Sequence, residues 1–329
     1  MHTYSCDLHG VGININGSRN VISALESRLG QLPSAGFTTG VTAGIGGETL
    51  HFEFRLAASP GDHRIERPQA SCRAFYNSLH GEALFFPAED VIYLDYGGRA
   101  RVLCEPEKGR CYISLLEPEL EQLWLVTHPL FTIPLIEMLK RRGKFNLHAA
   151  AVAVDGSCIL LPGTTGAGKS TLSVGLLRAN FDFLGDDMIF VQQANGLRIL
   201  AFAEKIDVTD TTASFFEELS GVLDRDKRAG WPKHEIDSGD FFSSRLVASA
   251  RPKAIVFPRV GNSVDSTLHP IGVEEAFLEL ASSVLLTETS STRAHLDVLA
   301  QLANTTPSYR LSTGRDFDRS ANMLRELLT

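Results

Sequence analysis

Cysteine is scarce in this chain of 329 residues, and it is irregularly placed. Cys6, Cys72, Cys104, Cys111 and Cys158 are odd in number and form no C-x-x-C pair. That pattern excludes a disulfide framework or a zinc ribbon and points to a reducing compartment, the cytoplasm. Basic runs are missing too. The net charge is −8, and no Lys/Arg cluster offers the footprint a nucleic-acid partner requires. No long apolar run is present either. The nearest, Leu123 to Leu139, is interrupted by His128, Pro129, Pro134 and Glu137 and is shorter than the ~20 residues of a membrane span. It reads as a buried, interrupted helix, and no membrane partner is expected. The start, Met1 to Asp7, has no basic segment leading into an apolar core, so no secretion signal is expected.

What is present is concentrated near the middle. Gly163, Thr164, Thr165, Gly166, Ala167, Gly168, Lys169 and Ser170 fit G-x-x-x-x-G-K-[ST] at every fixed position, with Thr171 next. In such a loop the glycines let successive N–H groups converge on phosphate oxygens, and the following helix points its positive end at them. Lys169 is placed to reach the outer phosphates and the Ser170 hydroxyl to ligate Mg²⁺. The flanks agree with this reading. Ser157 to Pro162 is a short apolar run suited to a buried strand, and Leu172, Leu176 and Leu177 share one helical face. Asn180 is a plausible left-handed stop for that helix.

Two carboxylates follow, Asp186 and Asp187. A helix from Lys169 to Ala179 rises about 16 Å at ~1.5 Å per residue. An extended Phe181–Asp186 returns about 20 Å at ~3.3 Å per residue. A strand parallel to the first therefore ends with both acids level with the loop, where one can hold Mg²⁺ and one can take a proton. A plain polar turn before the strand Met188–Val191 is the alternative.

Before the loop, Leu147 to Val154 and Ser157 to Pro162 are strand-like runs joined by Asp155-Gly156, a hairpin signal. Most phosphate loops follow parallel crossovers instead. His148 begins this hairpin at the loop end and is expected beside the phosphates. The first 117 residues are β-rich, with clean alternation over Leu50–Leu56 and a three-stranded meander over Val91–Leu115. A helix is expected near 19–30. Gly230-Trp231-Pro232-Lys233 suits a flap, and the chain closes on an amphipathic helix.

At Leu147-His148-Ala149-Ala150, the Asp155-Gly156 turn, Gly163–Thr171 and Leu184-Gly185-Asp186-Asp187, the chain resembles the HPr kinase/phosphorylase superfamily. The resemblance is specific over about residues 146–191. It is weaker through Pro252–Arg259 and the C-terminal helix. It implies an α/β C-terminal phosphate-loop domain with a mixed sheet (146–329), while the residues themselves give a smaller β-rich α+β N-terminal domain (1–117), unlike that of the HPr kinases, and a helical connector (118–145). It further implies ATP/Mg²⁺-dependent phosphorylation of a serine or threonine hydroxyl on a peptide or small protein. Lys169 and Ser170 would bind phosphates and metal. Asp187, with Asp186, would accept the hydroxyl proton and help place the metal, with His148 supporting the cluster.

The departures from the family are specific. Its E-x-R-G-x-G stretch is missing, and the corresponding region, Leu197 to Asp207, offers Glu204 as a metal-side acid or as an ordinary strand residue, with Lys205 beside it. The family's basic phosphate-contacting loop has only Lys233, Arg245, Arg251 and Arg259 as counterparts. HPr as acceptor and a reverse phosphorylase reaction are thereby put in doubt, and peptide-tailoring kinases become the nearest analogue. A homo-oligomer is compatible with the family, whose HPr kinases are hexamers, but the different N-terminal half blocks direct transfer. A small-molecule alcohol kinase and a non-catalytic nucleotide-binding regulator are the alternatives.

Overall fold

The computed structural model describes residues 1–30, 48–78, 81–121, 123–202, 205–227, 232–243, 245–261, 263–287 and 289–329. These fall into two compact units. One comprises Met1–Lys144 with Leu286–Ala294, the other Phe145–Leu285 with His295–Thr329. Residues 118–144 and 286–294 thus pack with the first unit.

The first unit is a mixed sheet with helices. In chain order it contains β1 (His2–Leu8), β2 (Val11–Gly17), α1 (Arg19–Leu29), β3 (Thr49–Ala57), β4 (Arg73–Ser78), β5 (Gly81–Phe86), β6 (Val91–Asp95), β7 (Ala100–Glu105) and β8 (Arg110–Leu116). The strand order is β1-β2-β3-β8-β7-β6-β5-β4. β3 runs parallel to both β2 and β8, and β6, β7 and β8 form the antiparallel meander. α1 starts where the Ser18 hydroxyl accepts the Val21 N–H, and it buries Val21, Ile22, Leu25 and Leu29 along one stripe. The apolar stretch from Leu123 is a broken helix: α2 (Leu123–Leu125), a π-turn (Val126–Leu130) and α3 (Phe131–Lys140). Pro129 lies within the π-turn, where its missing N–H interrupts the regular ladder. Among the described residues no helix is long and apolar enough to cross a membrane.

The second unit is α/β with a larger mixed sheet, and one of its helices, Thr289–Thr305, begins in the segment that belongs to the first unit. Its elements are β9 (Lys144–Leu147), β10 (Ala149–Val154), β11 (Ser157–Pro162), α4 (Lys169–Arg178), β12 (Asp182–Gly185), β13 (Ile189–Gln193), β14 (Leu197–Ala201), β15 (Ile206–Val208), α5 (Asp210–Ser214), β16 (His234–Ile236), α6 (Ser238–Phe241), β17 (Ser249–Val260), β18 (Thr267–Pro270), α7 (Val273–Ala281), α8 (Thr289–Thr305), β19 (Ser308–Thr313) and α9 (Phe317–Glu326). The main order is β12-β10-β11-β17-β14-β13-β9, and β19 joins β17 and β18. β10 is antiparallel to both β11 and β12, whereas β11, β17 and β19 run parallel. α4 packs over β10. Its Leu172, Leu176 and Leu177 share one core with Ala150, Val152, Ile159, Leu161, Phe181 and Phe183. β10 brings only small side chains to its first half, the fully buried Ala149, Ala150 and Ala151.

Candidate functional site

The hairpin turn decides which side chains meet. Asp155 and Gly156 both have positive φ, 50° and 79°, which matches the twist of a two-residue antiparallel turn. The register then sets Ala149 opposite Pro162. His148, just before β10, and Gly163, just after β11, therefore stand at the same end of the sheet. β12 is antiparallel to β10, so it runs in the same sense as β11 and delivers Asp186 and Asp187 to that end as well. It does so from one strand further away than direct pairing with β11 would, because β10 lies between them.

The loop itself turns on two left-handed glycines, Gly166 (φ 85°) and Gly168 (φ 94°). Gly168 caps α4, and a Cβ there would sit 3.3 Å from Val260 Cγ2. A larger residue is opposed both by backbone conformation and by space.

Four side chains converge at this end. Lys169 Nζ donates to the Gly163 carbonyl at 2.7 Å and lies 3.2 Å from His148 Nε2. His148 Nδ1 is 2.7 Å from the Asp187 carbonyl oxygen. A carbonyl only accepts, so Nδ1 carries the hydrogen and Nε2 presents its lone pair to the ammonium. Neutral His148 is consistent with its pKa being lowered, first by burial and then by the Lys169 charge. Burial also lowers the Lys169 pKa, while Asp187 and Asp186 oppose that shift. Ser170 Oγ donates to Asp186 Oδ2 at 2.7 Å.

Asp186 is the most perturbed acid of this cluster. It is 1% exposed, and its Oδ1 is buried with no hydrogen-bond partner among the described residues. Burial, and then the neighbouring Asp187 charge, push its carboxyl up to about 7. Asp187 is half-buried, and its charge acts on Lys169, Asp186 and His148. A spare carboxylate oxygen beside a hydroxyl is a hard oxygen pair of the kind Mg²⁺ accepts. Among the described residues no group of three or more His, Cys, Asp or Glu could hold a metal alone. Ser170 and Asp186 could therefore hold a cation shared with phosphate oxygens, but not a cation by themselves.

The remaining expected residues behave differently. Glu204 lies outside the described residues, as do Gly230 and Trp231 of the expected flap. Lys205 is exposed. Arg245 is committed to Asp182 through both Nε and Nη2, and Arg259 pairs with Glu279 at 3.2 Å. Arg251 pairs in register with Ser157 and donates its N–H to Gly156. That places it at the far end of β11, about 20 Å from the loop at ~3.3 Å per residue. Lys233 alone of the four basic candidates bears on the cluster. Its charge depresses both Lys169 and His148, and it stands 3.9 Å from Asp207.

Sequence reading missed Thr209 and Thr212, which stand beside Thr171 of the loop. Thr171 Oγ1 is 2.8 Å from Thr212 Oγ1, and Thr209 caps α5 by accepting the Thr212 N–H at 3.1 Å. The signal was the run Thr209-Asp210-Thr211-Thr212, a helix start with an acidic first turn.

No protein-family model matches the chain, and no curated protein matches it. Among solved structures, the Hpr(Ser) kinase/phosphatase from Coxiella burnetii is similar over 55% of this chain and 94% of its own. Identity is 14% and the TM-score is 0.33.

Proposed function

We propose that this protein is an ATP- and Mg²⁺-dependent kinase that transfers the terminal phosphoryl group to a serine or threonine hydroxyl of a peptide or small protein. One observation carries the reading: Lys169, His148, Ser170 and Asp186 are hydrogen-bonded around a glycine-rich phosphate loop, with the Asp187 charge within their reach. Phosphoryl transfer needs positioning and charge neutralisation more than covalent chemistry. Mg²⁺, held by Ser170 and Asp186 together with nucleotide phosphates, would neutralise charge on those phosphates. Gly163–Thr171 would cradle the phosphates with main-chain N–H groups, and Lys169 would leave the Gly163 carbonyl to contact them. Neutral His148 keeps a lone pair aimed at the Lys169 ammonium and so limits where that ammonium can go. Asp187 would accept the proton from the incoming hydroxyl, since it is the less buried acid and remains within reach of solvent.

Labelled ATP, Mg²⁺ and serine-containing peptides test the reading. A labelled peptide is expected with the native chain, and a loss of at least ~100-fold with Asp187→Asn, the scale of a removed general base. Release of free phosphate alone, at a rate unchanged by Asp187→Asn, would show the kinase assignment to be wrong. Label on an added small alcohol rather than on peptide would move the acceptor to that class.

A further inference from the structure

Beside the phosphate loop, on the flank away from Asp186 and Asp187, lies a cavity of about 530 Å³. Its floor includes Gly168 and Thr171 from the start of α4, and its walls include Phe215, Val260, Val264 and Arg315. We propose that this cavity takes the nucleoside, base and ribose, of the phosphoryl donor. The proposal rests on the phosphate-loop reading above and adds the direction in which the nucleotide lies.

The strand order argues for that direction. β11, β17 and β19 are adjacent and parallel, because Ile255 pairs with Leu160 on one side and Ser308 on the other. Ligands of parallel sheets bind outside the carboxyl ends of their strands. Those ends are the loop after Pro162, Val260 and Thr313, and residues from all three line the cavity. The carboxylates come from β12, on the opposite side of β11 across β10. An extended nucleotide with its terminal phosphates at Lys169 and Asp186 can therefore run away from the carboxylates, over β17 and β19.

The lining fits the chemistry of a nucleoside. Val260 is 68% exposed and Val264 is 72% exposed, an apolar pair left to water at the edge of a polar phosphate site. Phe215 offers a ring that is 36% exposed, with the Arg315 guanidinium 5.8 Å from its centroid. An aromatic face, a guanidinium plane and aliphatic edges are the surfaces on which a base stacks. Thr209 and Thr211 line the same cavity and bring hydroxyls suited to ribose oxygens. The wall is fixed to the loop, since Phe215 ends α5 and Thr212 of α5 bonds Thr171. The volume lies within the ~300–1,000 Å³ range of small-molecule sites.

Calorimetric titration with Mg²⁺-ATP and with Mg²⁺-tripolyphosphate separates the nucleoside contact from the phosphate contact. The native chain is expected to bind both, ATP more tightly. Val264→Trp fills the cavity from an exposed position, and Phe215→Ala removes the ring. Each is expected to weaken ATP by roughly tenfold, the worth of one base–aromatic stack, and to leave tripolyphosphate within about twofold. Lys169→Ala should weaken both ligands. Melting without ligand checks the fold, and Val264→Trp, at a solvent-facing position, keeps the test alive if Phe215→Ala unfolds. Native ATP affinity in both variants, with tripolyphosphate still bound, overturns the proposal alone. Failure of the native chain to bind either ligand overturns the phosphate-loop reading, and the proposal with it.

Discussion

A carboxylate hidden from water with one unpartnered oxygen works against the fold whenever it is ionised. Asp186 is such a group, its carboxyl pushed up to about 7 by burial, against about 3.9 for an unperturbed Asp. Below about pH 4 it is protonated in both the folded and the unfolded chain, and it imposes no penalty. Between about pH 4 and 7 the unfolded chain loses the proton first, so the penalty grows. Above about 7 both states are ionised and the penalty is complete. Asp186→Asn removes the charge and keeps an oxygen that can accept from Ser170. In EDTA at pH 8 it should be more stable than the native chain by about 2–4 kcal/mol. That advantage should shrink steadily toward pH 4.5 in urea titrations. An advantage independent of pH would mean that Asp186 is not a strained acid. At this scale the sequence made the cluster legible because two lengths, a helix and a returning strand, fix where Asp186 must emerge. It did not reveal which cations were already taken. Arg245 and Arg259 are neighbours of the site by composition, yet Asp182 and Glu279 hold them, and those partners come from remote segments.

Turns and caps were the most readable elements, since each depends on a few adjacent residues. Asn180 has φ 61°. Phe181 N–H bonds the Leu176 carbonyl and Asn180 N–H the Leu177 carbonyl, the paired closure of a left-handed helix stop. Asn180→Ala should cost about 1 kcal/mol through the left-handed backbone, and Asn180→Gly less than that. Equal losses in chemical denaturation would assign the effect to the Asn side chain instead. The β1–β2 hairpin escaped notice, although Ile13 and Ile15 alternate with Asn14 and Asn16 and are buried. Its asparagines disfavour strands by propensity, and pairing with β3, from beyond residue 48, overrides that preference. The place of β12 was also hidden. The length of a return stroke gives its end point and direction, but not which strand accepts its hydrogen bonds.

The division of the whole molecule does not follow chain order. Leu286–Ala294 packs with Met1–Lys144, and within that unit Thr287 Oγ1 donates to Glu137 Oε2 at 2.6 Å. Glu137 is fully buried, with Lys140 Nζ 2.7 Å from its other oxygen. The Thr287 hydroxyl therefore supplies a donor to a buried anion, where losing one partner is costly. Thr287→Val should lower stability by about 1–3 kcal/mol in the full chain. A value near zero would mean that Glu137 is satisfied without it. No local pattern announces such a contact, because its two ends are 150 residues apart in the chain.

One methyl group of β10 sets a spacing. Ala149, Ala150 and Ala151 are fully buried, and Ala150 belongs to the core that α4 shares with β10. The first residues of α4 are Lys169 and Ser170, so the clearance between helix and sheet also gauges the gap from Ser170 to Asp186. Ala150→Leu adds volume under the helix and costs about 1–3 kcal/mol by overpacking. It should also disengage the Ser170 hydroxyl from Asp186 and weaken Mg²⁺-ATP binding, as calorimetry would register, although it alters no residue of the loop. Ala150, the smallest side chain that β10 turns toward α4, thus acts as a shim, and its thickness sets how closely Ser170 approaches Asp186.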